Sequence, residues 1–304
     1  MLDVKFLTIV VTYNAMQWAE RCFSSLKNST VRPDIFVVDN GSTDGTQAFI
    51  KAHYPEVMFH QSEENLGFGK ANNMGLQYAL DHNYDYVYLL NQDAWVMDDT
   101  FERLIEISKK YPEYGILSPF QMNADMKHID RNFVVNVLKW ESNPDMCSIM
   151  YSQDFDDVYP VTEVMAAHWF MTRDCLCRVG GFSPSFRHYG EDGNYTDRVY
   201  YWGLKVGVVP AQKVVHDRGN REDNIENKMY LEYSNSIKAL SKPEVNYMKT
   251  LVFITCRIIM LLFYFKSIVS LKYVYKIFVQ YNKIKSNRLI SVNSACAFLK
   301  LNEM

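Results

Sequence analysis

Apolar residues run almost unbroken and then stop at polar clusters three times in the first hundred positions. Thr8–Asn14, Ile35–Asp44 and Tyr86–Asp93 each begin with β-branched or aromatic residues, and each ends in a polar turn. Near-continuous hydrophobicity marks strands covered on both faces. Ligands of open α/β sheets gather beyond the carboxyl ends of such strands. The pattern therefore predicts three strand tips at one edge, with Asn91, Gln92 and Asp93 delivered to a cleft.

Between these strands the period becomes helical. Trp18, Cys22, Ser25 and Leu26 share one face, which predicts a crossover helix over 15–27 with Asn14 near its N-cap. A second helix follows Gly41–Gly45 and ends near Tyr54, and Val57–His60 reads as a third strand. Asn65–Asn73 opens a third helix, in which Ala71, Met74, Tyr78 and Ala79 recur at helical spacing. Its glycine-bearing turn with Lys70 suits a diphosphate, because free backbone N–H groups and the helix dipole both favour anions there. Alternation of strand and helix predicts a parallel α/β sheet with right-handed crossovers.

Further along, Phe101, Leu104 and Ile105 mark a short helix, and Gly115–Pro119 a short strand. Residues 121–163 are acidic and irregular and read as an inserted loop region. Val164–Thr172 is apolar apart from His168, and a helix follows with Tyr195, Val199 and Trp202 on one face. Glu191 and Asp192 precede that helical face on a turn. Two adjacent carboxylates cannot both cap one helix, so one is left for chemistry. Val206–Pro210 reads as the final strand, followed by Val214–Arg218.

Composition changes this picture at the C-terminus. Hydrophobic residues make up 48 % of the 304, ample for a core and too many for a disordered chain. The net charge of −3 hides a split: from residue 230 onward, eleven Lys and Arg face three Asp and Glu, so the body is acidic and the tail basic. A domain over 1–225 and a basic, aromatic-rich helical region over 226–304 are expected, with no nucleic-acid partner. Leu251–Phe265 carries Arg257 and falls short of the ~20 apolar residues of a membrane span. The tail is expected to lie on a membrane surface or to pack on the protein. No signal peptide is read at the N-terminus, so a cytoplasmic body, peripheral on the inner face of the cell membrane, is expected. The six cysteines lack paired metal-site spacing and are expected to be reduced thiols.

Taken together, these residues resemble the family-2 glycosyltransferases, in particular the rhamnosyltransferase-like branch, over roughly residues 5–220. Val11–Asn14 resembles the first-strand motif, Val38–Asp44 the nucleotide-contacting turn with Asp39 at the base-reading position, and Asn65–Asn73 the donor loop. Asn91–Asp93 resembles that branch's form of the Asp-x-Asp motif, with Asn91 in place of the first Asp, and Gly190–Asp192 the Glu-Asp motif. The resemblance implies a GT-A fold: a mostly parallel nucleotide-sugar-binding sheet flanked by helices, here with a C-terminal helical tail. It implies donor binding by Thr12, Tyr13, Asn14, Asp39, Asn40, Asn65, Gly67, Lys70, Asn91, Gln92 and Asp93.

Such a transferase needs charge neutralisation on the departing diphosphate and proton removal from the attacking hydroxyl. Asp93 suits the first by holding Mg²⁺ or Mn²⁺, with His216 as a second ligand by analogy with metal-dependent relatives. Asp192, with Glu191 beside it, suits the second as general base, and direct displacement inverts the anomeric centre. His168, Trp169 and His188 are expected on the acceptor side. The implied partners are a nucleoside-diphosphate sugar, dTDP-rhamnose or a UDP-hexose, and a glycan or lipid-linked acceptor of cell-surface polysaccharide assembly. Two rival readings are a sugar nucleotidyltransferase, which has no use for Glu191–Asp192, and a catalytically degenerate nucleotide-sugar-binding subunit.

Overall fold

A computed structural model of the chain describes residues 4–139, 143–148, 156–218, 225–265 and 269–300. β1 (Phe6–Thr12), α1 (Met16–Asn28), β2 (Asp34–Asp39), α2 (Thr46–His53), β3 (Met58–Gln61), α3 (Phe68–Asp81) and β4 (Tyr86–Asn91) alternate as the periodicity predicts. The four strands lie side by side in the order β3-β2-β1-β4, all parallel. Their unbroken hydrophobicity follows from two cores. Leu7, Ile9, Val87 and Leu89 point into one, and Phe6, Val10, Tyr88 and Leu90 into the other.

Past β4 the sheet becomes mixed. The chain continues through β5 (Ala94–Trp95), α4 (Thr100–Lys110), β6 (Tyr114–Met122), α5 (Arg131–Asn136), α6 (Pro144–Ser148), β7 (Tyr159–Pro160) and β8 (His168–Thr172). α7 (Arg173–Val179), α8 (Glu191–Tyr201) and β9 (Lys205–His216) follow. β8 inserts antiparallel between β4 and β6, and β9 runs parallel to β6 before its end pairs antiparallel with β5. The sequence places the last strand at Val206–Pro210, whereas β9 reaches His216. A register shift opposite Pro119 and Phe120 absorbs the interruption.

The stretch expected to be an inserted loop supplies α5, α6 and β7, and its Phe133, Val137 and Met146 are fully buried. Asp130 caps α5 by accepting from the Phe133 N–H at 2.8 Å. Residues 140–142 and 149–155 of that stretch lie outside the described residues.

The C-terminal region forms three helices, α9 (Ile225–Ser241), α10 (Tyr247–Phe265) and α11 (Val269–Asn293). Met229, Tyr233, Ile237, Leu240, Ile254, Tyr273 and Ile277 pack with Phe186 of the body in a third apolar cluster. Beyond α11 the chain returns to the body. Gly181 N donates to Ala297 O at 2.8 Å, and Gln77 exchanges two hydrogen bonds with the Lys300 backbone at 2.7 and 2.8 Å. Among the described residues, no helix is long and apolar enough to cross a membrane.

Candidate active site

The tips of β2, β1 and β4 stand at one edge, and their polar residues spend much of their hydrogen bonding on one another. Asp39 is fully buried and accepts from the Thr12 hydroxyl at 2.7 Å, the Ser42 hydroxyl at 2.6 Å, the Ser42 N–H at 2.9 Å and Gln47 Nε2 at 2.7 Å. Asn14 adopts a left-handed backbone with φ 51°, which lets its Oδ1 accept from the Thr43 N–H at 2.9 Å. The Gln92 amide clamps Tyr13 from both sides, accepting from its N–H at 2.6 Å and donating to its carbonyl at 3.1 Å. Asn40 Oδ1 accepts from the Leu66 N–H at 3.3 Å, tying the third loop to β2. Thr12, Asn14, Asp39, Asn40 and Gln92 therefore build the rim. Tyr13 and Lys70 are exposed on it.

The third loop turns at Gly67, where φ is 81° and an added Cβ would lie 2.4 Å from the Arg187 carbonyl oxygen. Both facts demand glycine. Asn65 Oδ1 accepts from the Gly67 N–H at 2.9 Å and closes the turn before α3. The first N–H groups of that helix have no intrahelical partner, which makes its start a site for anions.

Asp93 follows β4, and His216 ends β9. Pairing of Ala94 with His216 brings them together, with Asp93 Oδ1 3.5 Å from His216 Nε2. Spacing did not announce this contact, since the two lie 123 positions apart in the chain. The Asp93 carbonyl also accepts from the Asp217 N–H at 2.7 Å. Two cis donors ~2.1 Å from one octahedral cation sit ~3 Å apart, so this oxygen and nitrogen would close by about half an ångström to share a small divalent ion. Among the described residues there is no cluster of three or more His, Cys, Asp or Glu able to hold a metal. Phosphate oxygens and water would complete the shell of an ion on this pair.

The remaining carboxylates open α8, after Gly190 in the left-handed region at φ 82°. Glu191 is 7 % exposed and its Oε2 meets no hydrogen-bond partner. Burial, then the neighbouring charge of Asp192, pushes its pKa up to about 8. Asp192 is half-buried and is also raised, by burial first and Glu163 second, against the hydrogen bond it accepts from the Gly193 N–H at 2.8 Å and the pull of Lys238 and Arg218. Desolvation thus outweighs the pull of the helix N-terminus on Asp192.

Sequence reasoning missed the charged residues that support these two centres. Arg218 Nε donates to His216 Nδ1 at 3.3 Å and lies 3.5 Å from Asp130 Oδ2. Lys238 of α9 pairs with Glu163 beside Gly193. Arg218 lies two residues past His216, close enough in the chain for the sequence to signal it. Lys238 could not be found without the packing of α9.

The acceptor-side expectation fails for two residues. His168 and Trp169 are fully buried, because β8 runs between β4 and β6 with both faces covered. Trp169 stacks on Phe182 at 6.0 Å and donates Nε1 to the Val164 carbonyl at 3.2 Å. His168 bridges Tyr88 and the Val215 carbonyl at 2.8 Å each, and burial pushes its pKa down to about 3. His188 is exposed, its ring 4.1 Å from that of Tyr189.

The chain is similar to known proteins in sequence and in fold. Residues 8–159 match the family described as Glycosyl transferase family 2. An N-acetylglucosaminyl-diphospho-decaprenol L-rhamnosyltransferase from Mycobacterium tuberculosis is 27 % identical over 232 residues, covering 70 % of this chain and 76 % of the relative. The mannosyltransferase PcManGT from Pyrobaculum calidifontis, solved with GDP-Man and Mn²⁺, superposes with a TM-score of 0.56 at 18 % identity, over 79 % of this chain and 62 % of that one. Staphylococcus aureus TarS superposes with a TM-score of 0.55 at 16 % identity, over 81 % of this chain. This chain spans 41 % of TarS, less than half its length.

Proposed function

Because the chain belongs to glycosyl transferase family 2, we propose that it moves a sugar from a nucleoside-diphosphate donor to an acceptor hydroxyl with inversion. The donor is dTDP-rhamnose or a UDP-hexose, and the acceptor a glycan or lipid-linked glycan of cell-surface polysaccharide assembly. The mycobacterial relative, whose name specifies a diphospho-decaprenol acceptor, supports the lipid-linked reading. PcManGT with its GDP-Man and Mn²⁺ supports a metal-assisted nucleotide sugar.

One observation carries the proposal: the 3.5 Å approach of Asp93 to His216 at the edge that also holds the β1, β2 and α3 turns. Asp93 and His216 would hold Mg²⁺ or Mn²⁺, which neutralises charge on the departing diphosphate. The rim formed around Asp39 and Gln92 receives the nucleotide, while Lys70 and the start of α3 meet the diphosphate. At the other turn Asp192 is the general base, and Glu191, its pKa pushed up to about 8 by burial, holds a proton beside it. The acceptor oxygen attacks the anomeric carbon, its proton passes to Asp192, and the bond to the diphosphate breaks. One displacement inverts the centre. The basic, aromatic C-terminal helices suit a peripheral position on the inner face of the membrane.

A thermal-shift panel of nucleotide sugars with and without Mn²⁺ tests the reading. A ligand at 100 times its Kd stabilises by ~2.7 kcal/mol. No response to any nucleotide sugar, or pyrophosphate release from a sugar phosphate and nucleoside triphosphate, would overturn it.

A further inference from the structure

Beside the carboxylate turn lies a cavity of about 360 Å³ whose lining includes Lys70, Arg187, His188 and Lys283. No Asp or Glu lines it among the described residues. Lys70 belongs to the donor turn; Arg187 and Lys283 are exposed, and no ion pair engages either of them among the described residues. Cations gathered without counter-charge repel one another, and an anion between them removes that cost.

The position matters as much as the charge. The cavity wall is shared with both catalytic elements. Gly67 of the third loop abuts the Arg187 backbone, and Ser234, another lining residue, donates to the Tyr189 carbonyl just before Glu191. The cavity thus adjoins the turn that carries Asp192, and its lining includes no residue of the β1, β2 or β4 tips.

A second observation comes from α11. Tyr275, Val279 and Lys283 follow at i, i+4 and i+8 and so share one face, spanning ~12 Å. Tyr275 is 70 % and Val279 63 % exposed, with Phe278 beside them at 52 %. The row is apolar and solvated at one end and reaches the cationic cavity at the other.

We propose that this cavity is an acceptor subsite for the phosphate or diphosphate head of an amphiphilic acceptor, whose hydrocarbon chain lies along the exposed apolar row of α11. The proposal rests on the glycosyl-transfer reading and deepens it. Arg187 and Lys283 hold the head, Tyr230 and Tyr233 wall the cavity, and the first sugar faces the Glu191–Asp192 turn.

The test uses the full chain with Mg²⁺ and a saturating nucleoside diphosphate, the tightest of UDP, GDP and dTDP. Farnesyl diphosphate, farnesol and inorganic pyrophosphate are then titrated by calorimetry. Farnesyl diphosphate is expected to bind with the nucleotide still in place, and farnesol far more weakly. Arg187→Gln and Lys283→Gln should each weaken it roughly tenfold, the loss of one charge-assisted contact, with nucleotide affinity unchanged. Val279→Ser should weaken farnesyl diphosphate and leave pyrophosphate alone. One-for-one displacement of the nucleotide, or full affinity in the Arg187 and Lys283 variants, overturns the subsite. Equal affinity for pyrophosphate and farnesyl diphosphate, unmoved by Val279→Ser, overturns the lipid in favour of a soluble phosphate. A chain that binds no nucleoside diphosphate in the opening titration refutes glycosyl transfer itself, so the two failures are distinguishable.

Discussion

Lowering the pH from 8 to 5 is expected to destabilise the fold by ~2 kcal/mol through His168 alone. The Val215 carbonyl can only accept, so Nε2 carries the proton and Nδ1 accepts from the Tyr88 hydroxyl. A second proton would leave a buried cation donating to a phenol. Burial accordingly takes the folded-state pKa from 6.5 to about 3. At pH 5 the unfolded chain has bound the proton and the folded chain has not, so acid favours unfolding. The window opens near 6.5 and closes near 3, and stability is fully present above it. At pH 5 the gap is ~1.5 units at ~1.4 kcal/mol each, which sets the ~2 kcal/mol. Urea unfolding of the wild type and His168→Gln at both pH values isolates this contribution, because every other titrating group is common to both. Glutamine keeps a donor for Val215 and an acceptor for Tyr88. The wild type should lose ~2 kcal/mol more than the variant between pH 8 and pH 5. Equal losses would mean that His168 titrates as in water, and the strut between β4 and β9 would have to be abandoned.

Three further outcomes are expected. Asp192→Asn should lower kcat by ~10²–10⁴ with little change in donor KM, and Glu191→Gln should cost far less, since the amide imitates the protonated acid; steady-state kinetics giving the reverse order would move the base to Glu191. Asp93→Asn should abolish Mn²⁺-dependent donor binding in calorimetry, because His216 alone offers one neutral nitrogen to a hard cation, and retained binding would place the metal elsewhere. Truncation after Asn224 should yield a protein without a cooperative unfolding transition, since it uncovers Phe186 and Trp202 and removes the partners of Gly181 and Gln77. A monodisperse, cooperatively folding fragment would show that the C-terminal helices are an appendage.

What the sequence by itself determined lies where chemistry is local. A buried parallel strand needs apolar residues on both faces and must end in polar ones, so β1, β2 and β4 and the cluster at Asn91–Asp93 were legible from order alone. Gly67, Gly190 and the carboxylates after Gly190 were legible for the same reason, because a left-handed turn and a helix start leave marks within a few residues.

Contacts between distant segments left no such mark, and only the tertiary structure decided them. His168 and Trp169 look like a polar break in an apolar run, but β8 lies between β4 and β6, and a central strand buries whatever it carries. Asp93 met His216 through a strand pairing across more than a hundred residues, and Lys238 reached Asp192 through the docking of α9. The protonation of Glu191 depends on how completely α8 and α9 exclude water from it. Desolvation is a property of the packed assembly of neighbours, which no single stretch of sequence contains.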